Sequence, residues 1–416
     1  MKPIVPILAL LLSVAILLTG QGLQSVLLPV RAQIEDLSTL IIGAMGSAYF
    51  LGFAVGCVMC PYLVKRVGHI RGFVTMTAVA SAAPLVHLMW ISPLGWILTR
   101  SITGMSFAAL YVIIESWLND RSTNESRGFV LSVYMVINLT VITAGQLMLM
   151  LSEPADFHLF ALASILVSIA AIPVALTREA QPPPLEVVRF HPMRIISISP
   201  VAFVTCAGIG LANGSWWALG PVFASGEQPD ATLTAIFMSA CVIGGAIGQW
   251  PLGRISDRMD RRRVIIGAAL LAALTGLALL HAKTHVPHLL YAVSALWGAA
   301  AFPIYALAVA HANDAARREE LVEVSSGLLL TYAAGAVVGP VIASSFMQTF
   351  GPGALFVHTT VVHLGLAGFT LAWLRRKPAI PFEDRAPFAE SLQSAKTFST
   401  AFDSARLVEE TPDPKR

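Results

Sequence analysis

The chain reads as a succession of long uncharged apolar runs separated by short stretches rich in charge, Pro and Gly. A hydrocarbon layer about 30 Å thick needs about 20 apolar residues per crossing helix, and twelve runs meet that length. They span approximately 4 to 29, 40 to 62, 72 to 91, 94 to 118, 128 to 151, 157 to 177, 198 to 222, 231 to 252, 264 to 282, 287 to 311, 324 to 348 and 353 to 374. The first run is much longer than the roughly 7 to 15 apolar residues of a signal peptide, so it is read as a membrane helix. The pattern predicts an all-α integral membrane protein.

Composition agrees: 56% of the 416 residues are hydrophobic, 12% are charged and the mean hydropathy is +0.72, values rare among water-soluble domains. The net charge of +3 comes with no basic stripe carrying interleaved aromatics, which argues against a nucleic-acid partner. Where the charges lie is more informative than how many there are. With the N-terminus placed in the cytoplasm, 24 of the 27 Lys and Arg residues fall on the cytoplasmic side. Only Arg31 and Lys283 fall outside, and Arg100 lies within a span. That bias predicts a multi-pass protein of the cytoplasmic membrane with both termini inside. Cys57, Cys60, Cys206 and Cys241 sit in apolar stretches with no His at ligand spacing, so they read as small hydrophobes rather than a metal or redox site. No cofactor or metal is expected.

The runs divide six and six. Residues 178–197, containing Gln181-Pro182-Pro183-Pro184, form the longest interior connection and are read as a cytoplasmic linker between a bundle at 1–177 and a second at 198–374. The polar, Pro-bearing stretch 375–416 is read as a disordered cytoplasmic tail. The halves also match each other. Gly52 and Gly56 pair with Gly244 and Gly248 at an offset of 192, as do the charged segments beginning at Pro61 and Gly253. Pro93, Gly104 and Asn119-Asp120 pair with Pro287, Gly298 and Asn313-Asp314 at an offset of 194. Parallel six-span repeats, two pseudo-symmetric bundles, are the simplest account.

The charged segments carry a motif. Gly253, Asp257, Arg258, Arg261 and Arg262 follow the form Gly-x-x-x-Asp-Arg-x-Gly-Arg-Arg, with Asp260 in place of the second Gly. The first copy keeps Arg66 and Gly68 but has Pro61 and Lys65 where Gly and Asp belong. This resembles the signature loop of the major facilitator superfamily, and with the twelve spans the resemblance covers about residues 4 to 374, closest to bacterial branches with few assigned substrates. It implies that Arg66, Gly68, Arg71, Gly253, Asp257, Arg258, Arg261 and Arg262 serve gating. Asp257 would brace one closed state against the helix beginning near Arg127-Gly128. An acid facing a helix N-terminus gains from its dipole, and the positive-inside rule alone does not ask for an acid.

Ionisable residues within hydrocarbon are costly and therefore candidates for function. Arg100 lies seven residues into the fourth span, about 10 Å deep at 1.5 Å per residue. Arg100 with Gly104 resembles a second family motif linked to proton coupling. Glu115, the only carboxylate within an assigned span, lies too far along the same helix to pair with Arg100, and Arg66 or Arg71 is its expected partner. It completes the gating and coupling set. In the family, spans one, four, seven and ten line a cavity and two, five, eight and eleven flank it. Gln21, Gln24, Arg100, Tyr111, Tyr134, Asn138, Asn213, Trp216, Trp217, Gln249 and Tyr305 are the expected lining. Each polar residue taken alone is more often a helix–helix contact.

The reading is a secondary transporter moving a small organic solute by alternating access of two rocking bundles, with proton coupling through Arg100 and Glu115. No Gly-Lys-Ser/Thr phosphate loop is present in the sequence, which argues against ATP as direct driver. A facilitative or sodium-coupled carrier of a sugar or organic anion fits the amide-rich lining too, and a non-transporting sensor or scaffold is a competitor of another class. An enzyme would need a nucleophile or metal constellation, and none is found. The expected partners are the solute, protons and lipid, and the expected state is a monomer.

Overall fold

The computed structural model describes residues 7–122, 127–177, 182, 191–226, 230–286, 289–317, 320–377, 385 and 388. Those residues form helices joined by short turns. The first half contains α1 (Leu8–Ile34), α2 (Thr39–Val67), α3 (His69–Met89), α4 (Pro93–Asp120), α5 (Arg127–Leu147), α6 (His158–Ile169) and α7 (Ala171–Ala175). The second contains α8 (Pro192–Ile198), α9 (Pro200–Ser225), α10 (Ala231–Ser256), α11 (Arg261–His285), α12 (Leu290–Ala301), α13 (Pro303–Ala315), α14 (Leu321–Phe350) and α15 (Ala354–Arg376). α6 with α7, and α12 with α13, each act as one span. Among the described residues eleven spans are long and apolar enough to cross a membrane. The bent pair α8 and α9, which turn 118° at their junction, supplies the twelfth. Helices are what hydrocarbon demands, since each backbone amide must find its partner within the segment.

Local chemistry marks where helices begin. Ser38, Ser92, Ser199, Asp230 and Asp260 each accept a hydrogen bond from a backbone amide of the first turn that follows, the usual service of an N-cap. Helix ends run past the apolar runs, however. α2 continues through the charged Lys65 and Arg66 to Val67, and α10 reaches Ser256. The charged segments expected as loops are therefore mostly helix. Hydropathy marks where lipid stops, whereas the helical ladder continues into water. Between α2 and α3 only Gly68 intervenes, at φ 83°, a left-handed conformation that glycine adopts without strain.

The duplication is visible in the packing. A methyl group at Gly52 would meet the Ser101 carbonyl and one at Gly244 the Ala295 carbonyl; Gly56 and Gly248 face Met105 and Ala299 in the same way. Gly104 abuts the Tyr49 carbonyl, and Gly298 that of Cys241. Gly22 lies on Ile142 and Gly214 on Ala336, while Gly145 lies on Thr19 and Gly339 on Leu211. All five matched contacts map onto each other at offsets of 192 for α1 and α2 and 194 for α4 and α5. Small residues let these backbones touch, the main source of helix association where lipid offers no hydrophobic drive.

The two halves meet on the face away from residues 8 and 376. There α2 packs on α14 and α9, α1 on α9, and α5 on α10. Gly43 lies against Ser344 and Pro340, and Gly46 against Ala218. Ser225 Oγ donates to Gln33 Oε1 at 2.6 Å, Gln33 Nε2 donates to the Gly226 carbonyl at 3.2 Å, and Ser239 Oγ donates to Gln146 Oε1 at 3.5 Å. This seam closes the far face. On the opposite face, Arg194 of α8 pairs with Glu320 and Glu323 at 2.8 and 2.9 Å, fixing α8 beside the start of α14. Most of the linker and tail, residues 178–181, 183–190, 378–384, 386–387 and 389–416, lies outside the described residues.

Candidate solute cavity

Beneath the seam lies a cavity of about 230 Å³ lined from both halves. α1 contributes Gln21, Gly22, Gln24 and Ser25; α2 Gly46, Tyr49, Phe50 and Phe53; α4 Arg100, Thr103, Phe107 and Tyr111; α5 Ile142. The second half adds Trp217 and Ala218 of α9 and Tyr332 of α14. Gly46 and Ala218, which touch across the seam, are its roof.

A polar chain crosses the first-half wall. The Tyr111 hydroxyl donates to Gln21 Oε1 at 2.8 Å, and Gln21 Nε2 donates to the Tyr49 hydroxyl at 3.0 Å. The Arg100 guanidinium lies over the Tyr49 ring, 4.4 Å from its centroid, a cation–π distance. Gln24 is only 2% exposed, and neither its amide oxygen nor its amide nitrogen has a hydrogen-bond partner among the described residues. On the opposite wall Trp217 packs at 6.2 Å, nearly parallel, on Phe302, and edge-on at 4.9 Å to Trp216.

Of the expected lining, Gln21, Gln24, Arg100, Tyr111 and Trp217 border the cavity. Six lie elsewhere. Trp216 is fully buried among Trp217, Trp297 and Phe302. Asn213 lies beside Tyr332, and Tyr305 packs edge-on against Tyr332 at 5.2 Å, so both stand behind the wall rather than in it. Tyr134 is buried with its hydroxyl near Asn138 and Glu115, and Gln249 is half-buried on α10. Conversely Tyr49, Phe50 and Phe53 of α2, a flanking span, line the cavity without having been among the expected residues. The Gly52 and Gly56 contacts are the signal that one face of α2 is pressed against α4.

The gating candidates divide as well. Glu115 is 2% exposed and faces Tyr134, whereas Arg66 and Arg71 stand exposed. The expected pairing is not formed, because both arginines sit at the water-facing junction of α2 and α3. Arg258 is likewise exposed. Arg261 and Arg262, which topology alone would leave in water, are 1% and 3% exposed. Arg261 grips Asp314 of α13 through Nε at 2.6 Å and Nη2 at 3.3 Å, and donates to Ser256 Oγ at 3.2 Å. Arg262 holds Asp260 at 2.7 Å and the Lys377 carbonyl at 3.0 Å. Burial pushes the Asp260 carboxyl up, but the hydrogen bonds from Arg262 outweigh it and hold the group below the usual carboxylate range. Asp257 accepts the Phe388 backbone amide at 2.8 Å and lies 3.7 Å from Arg261. Phe388 is 5% exposed, with its ring where a Gly253 side chain would be. Among the described residues it is the backbone amide of Phe388 that meets Asp257.

Two repeated six-helix bundles closed on one face over a two-sided cavity define a multi-pass membrane transporter. The chain belongs to the major facilitator superfamily, whose family model matches it twice, over residues 10–230 and 205–406. The uncharacterized MFS-type transporter YcaD of Escherichia fergusonii is 26% identical over 354 residues, 85% of this chain and 91% of the relative. Ent638_1421 of Enterobacter sp. (strain 638), also an uncharacterized MFS-type transporter, is 27% identical over the same shares. Among solved structures, the nucleoside transporter NupG superposes with a TM-score of 0.75 at 11% identity, covering 89% of this chain and 99% of its own. A bacterial homologue of the human lysosomal transporter Spinster, inward-facing and occupied, superposes with 0.68 at 15% identity, covering 91% and 97%.

Proposed function

We propose that this protein is a secondary active transporter that carries a small organic solute through the cavity below Gly46 and Ala218 by rocking its halves. The observation that carries the reading is that both halves wall one cavity, whose roof is an inter-half contact. Opening the seam would expose the solute to the far side; closing the opposite face would complete the cycle. The bias of Lys and Arg supports a cytoplasmic-membrane protein with the termini inside. In this reading residues 1–177 and 198–374 are the moving bodies, 178–197 the linker and 375–416 a cytoplasmic tail. One chain holds the whole cavity, so a monomer suffices.

The cycle is coupled to protons, with Arg100 at the cavity and Glu115 buried toward the opposite end of α4 as the coupling groups. Compounds that raise the melting temperature of the purified protein supply substrates for uptake into proteoliposomes. An inward-directed pH gradient is expected to change their uptake severalfold, and Glu115→Gln to remove that dependence. Uptake that ignores both the gradient and the substitution would sink proton coupling. The neutral Tyr111–Gln21–Tyr49 chain favours a second reading, facilitative or sodium-driven movement of a polar solute. Dependence of uptake on sodium, with none on pH, would select it.

A further inference from the structure

We infer that the solute is a small organic anion built on a single planar ring, with its anionic group on Arg100 and a hydrogen-bonding substituent on Gln24. The inference rests on the transporter reading above and adds the chemistry of the cargo.

Arg100 is the first ground. Among the described residues it makes no ion pair and no hydrogen bond; its one recorded partner is the face of Tyr49. A cation held within a span and without a counter-charge is costly unless something brings one. Glu115 is fifteen residues further along α4, about 22 Å at helical rise, so it does not serve. The repeat sharpens the point, because the residue matching Arg100 at the offset of 194 is Ser294, whose hydroxyl already donates to the Tyr291 carbonyl at 2.8 Å. The second half therefore has no equivalent cation. Arg100 is an addition to the scaffold rather than part of it.

Gln24 is the second. Gln21, one turn earlier, spends its amide on Tyr49 and Tyr111, and so positions the wall. Gln24 spends nothing among the described residues: it lines the cavity, and its amide oxygen and nitrogen are buried and unpartnered, so that a turn of the side chain would present both to a bound solute. Buried polar atoms in native proteins are nearly always satisfied, and a ligand hydroxyl or amide edge would satisfy both.

Shape is the third. Tyr49, Phe50, Phe53, Phe107 and Trp217 give the cavity flat apolar walls, which favour stacked or edge-on rings. At about 230 Å³ it is smaller than the 300–1,000 Å³ or so of sites for drug-sized molecules, and one ring with short substituents fits.

The test is calorimetric titration of the purified full-length protein with three matched probes: 4-hydroxybenzoate, its neutral isostere 4-hydroxybenzamide, and the non-planar anion 4-hydroxycyclohexanecarboxylate. The benzoate is expected to bind about tenfold or more tighter than either of the others, a difference of about 1.4 kcal/mol. Arg100→Gln should erase the preference for charge, and Gln24→Leu should weaken the benzoate severalfold while leaving that preference in place. Both variants must first elute as monodisperse protein, and Arg100→Lys, which keeps a cation, should restore part of the preference if Arg100→Gln is poorly folded. Equal or tighter binding of the amide, benzoate affinity unchanged by Arg100→Gln, or no binding of the benzoate at millimolar concentration would each overturn the inference. Counterflow in proteoliposomes of the amide, or of another neutral solute, at a rate equal to or above the benzoate's would overturn the anion while leaving transport standing. If no solute moves at all, the transporter reading itself fails.

Discussion

Arg261 carries a charge that the topology rule would leave in water, yet its side chain is 1% exposed and locked to an equally buried Asp314. Breaking such a pair from one side takes the closest counter-charge from a buried cation, which costs up to about 3–5 kcal/mol, less whatever Asp257 at 3.7 Å supplies. Asp314→Ala is therefore expected to lower the melting temperature sharply in a thermal-shift assay, whereas Arg261→Met with Asp314→Leu should recover most of the loss. A double variant as unstable as the single one would show that the pair is needed for more than charge balance. Asp260 gives a pH dependence of known sign. Its carboxyl is depressed in the folded protein, so its cap on α11 is fully present above the ordinary Asp value of about 3.9 and is lost as pH falls through the lower folded value. Protection of the Arg262 amide against hydrogen exchange, taken relative to its intrinsic rate at each pH, should fall in acid, and Asp260→Asn should blunt that response. At this scale the sequence was a fair guide to chemistry and a poor one to location. Arg100, Gln21 and Gln24 could be singled out because polar groups in a span are expensive. Tyr49 and Phe53 could not, since an aromatic facing a cavity and one facing lipid look alike without the packing of α2 on α4.

Helices were more legible than residues. The twelve runs became eleven spans among the described residues, and a twelfth where the bent pair α8 and α9 counts as one, because hydrocarbon leaves an apolar segment of that length little choice. What could not be read was where each helix ends, and so the signature segment turned out to be the last turn of α10, a four-residue break and the first turn of α11. Nor does any apolar run announce that Phe388, far along a polar tail, returns to fill the space at Gly253 and cap Asp257. Replacing a well-buried Phe by Ala costs about 3–5 kcal/mol in protein cores, and a site at a helix junction should lie at or below the low end. Phe388→Ala, or a chain ending at Lys377, is expected to melt several degrees lower and to expose the Met259 segment, where Arg385 donates to the backbone at 2.9 Å, to protease. Unchanged melting and cleavage would mean the docked segment contributes no stability.

For the whole molecule, the duplication explains both the likeness and the difference of the halves. Matched glycines set α2 on α4 and α10 on α12 with the same contacts at the same offsets, so the two halves are built on one packing scheme. The ionisable residues break that symmetry: Arg100 and Glu115 correspond to Ser294 and Val309 at the offset of 194. The first half thus brings the cavity its Arg100 cation, and the second adds Trp217 and Tyr332 to the aromatic wall. The offsets were readable in advance, whereas the closed face was not, because the repeat pattern fixes the packing within each half and not the face on which the halves meet. The seam itself is open to attack. Gly46→Leu places a side chain where Ala218 already lies, and overpacking of this kind costs about 1–3 kcal/mol, enough to shift a two-state balance about tenfold. The account is tested most directly by double electron–electron resonance in a background with Cys57, Cys60, Cys206 and Cys241 replaced by Ala. One spin-label pair at the exposed Ile91 and Phe350 spans the seam face, and another at the exposed Arg71 and Arg263 spans the opposite face. Gly46→Leu is predicted to lengthen the first distance and shorten the second; if the first lengthens while the second stays fixed, or both move together, the halves do not rock about the cavity.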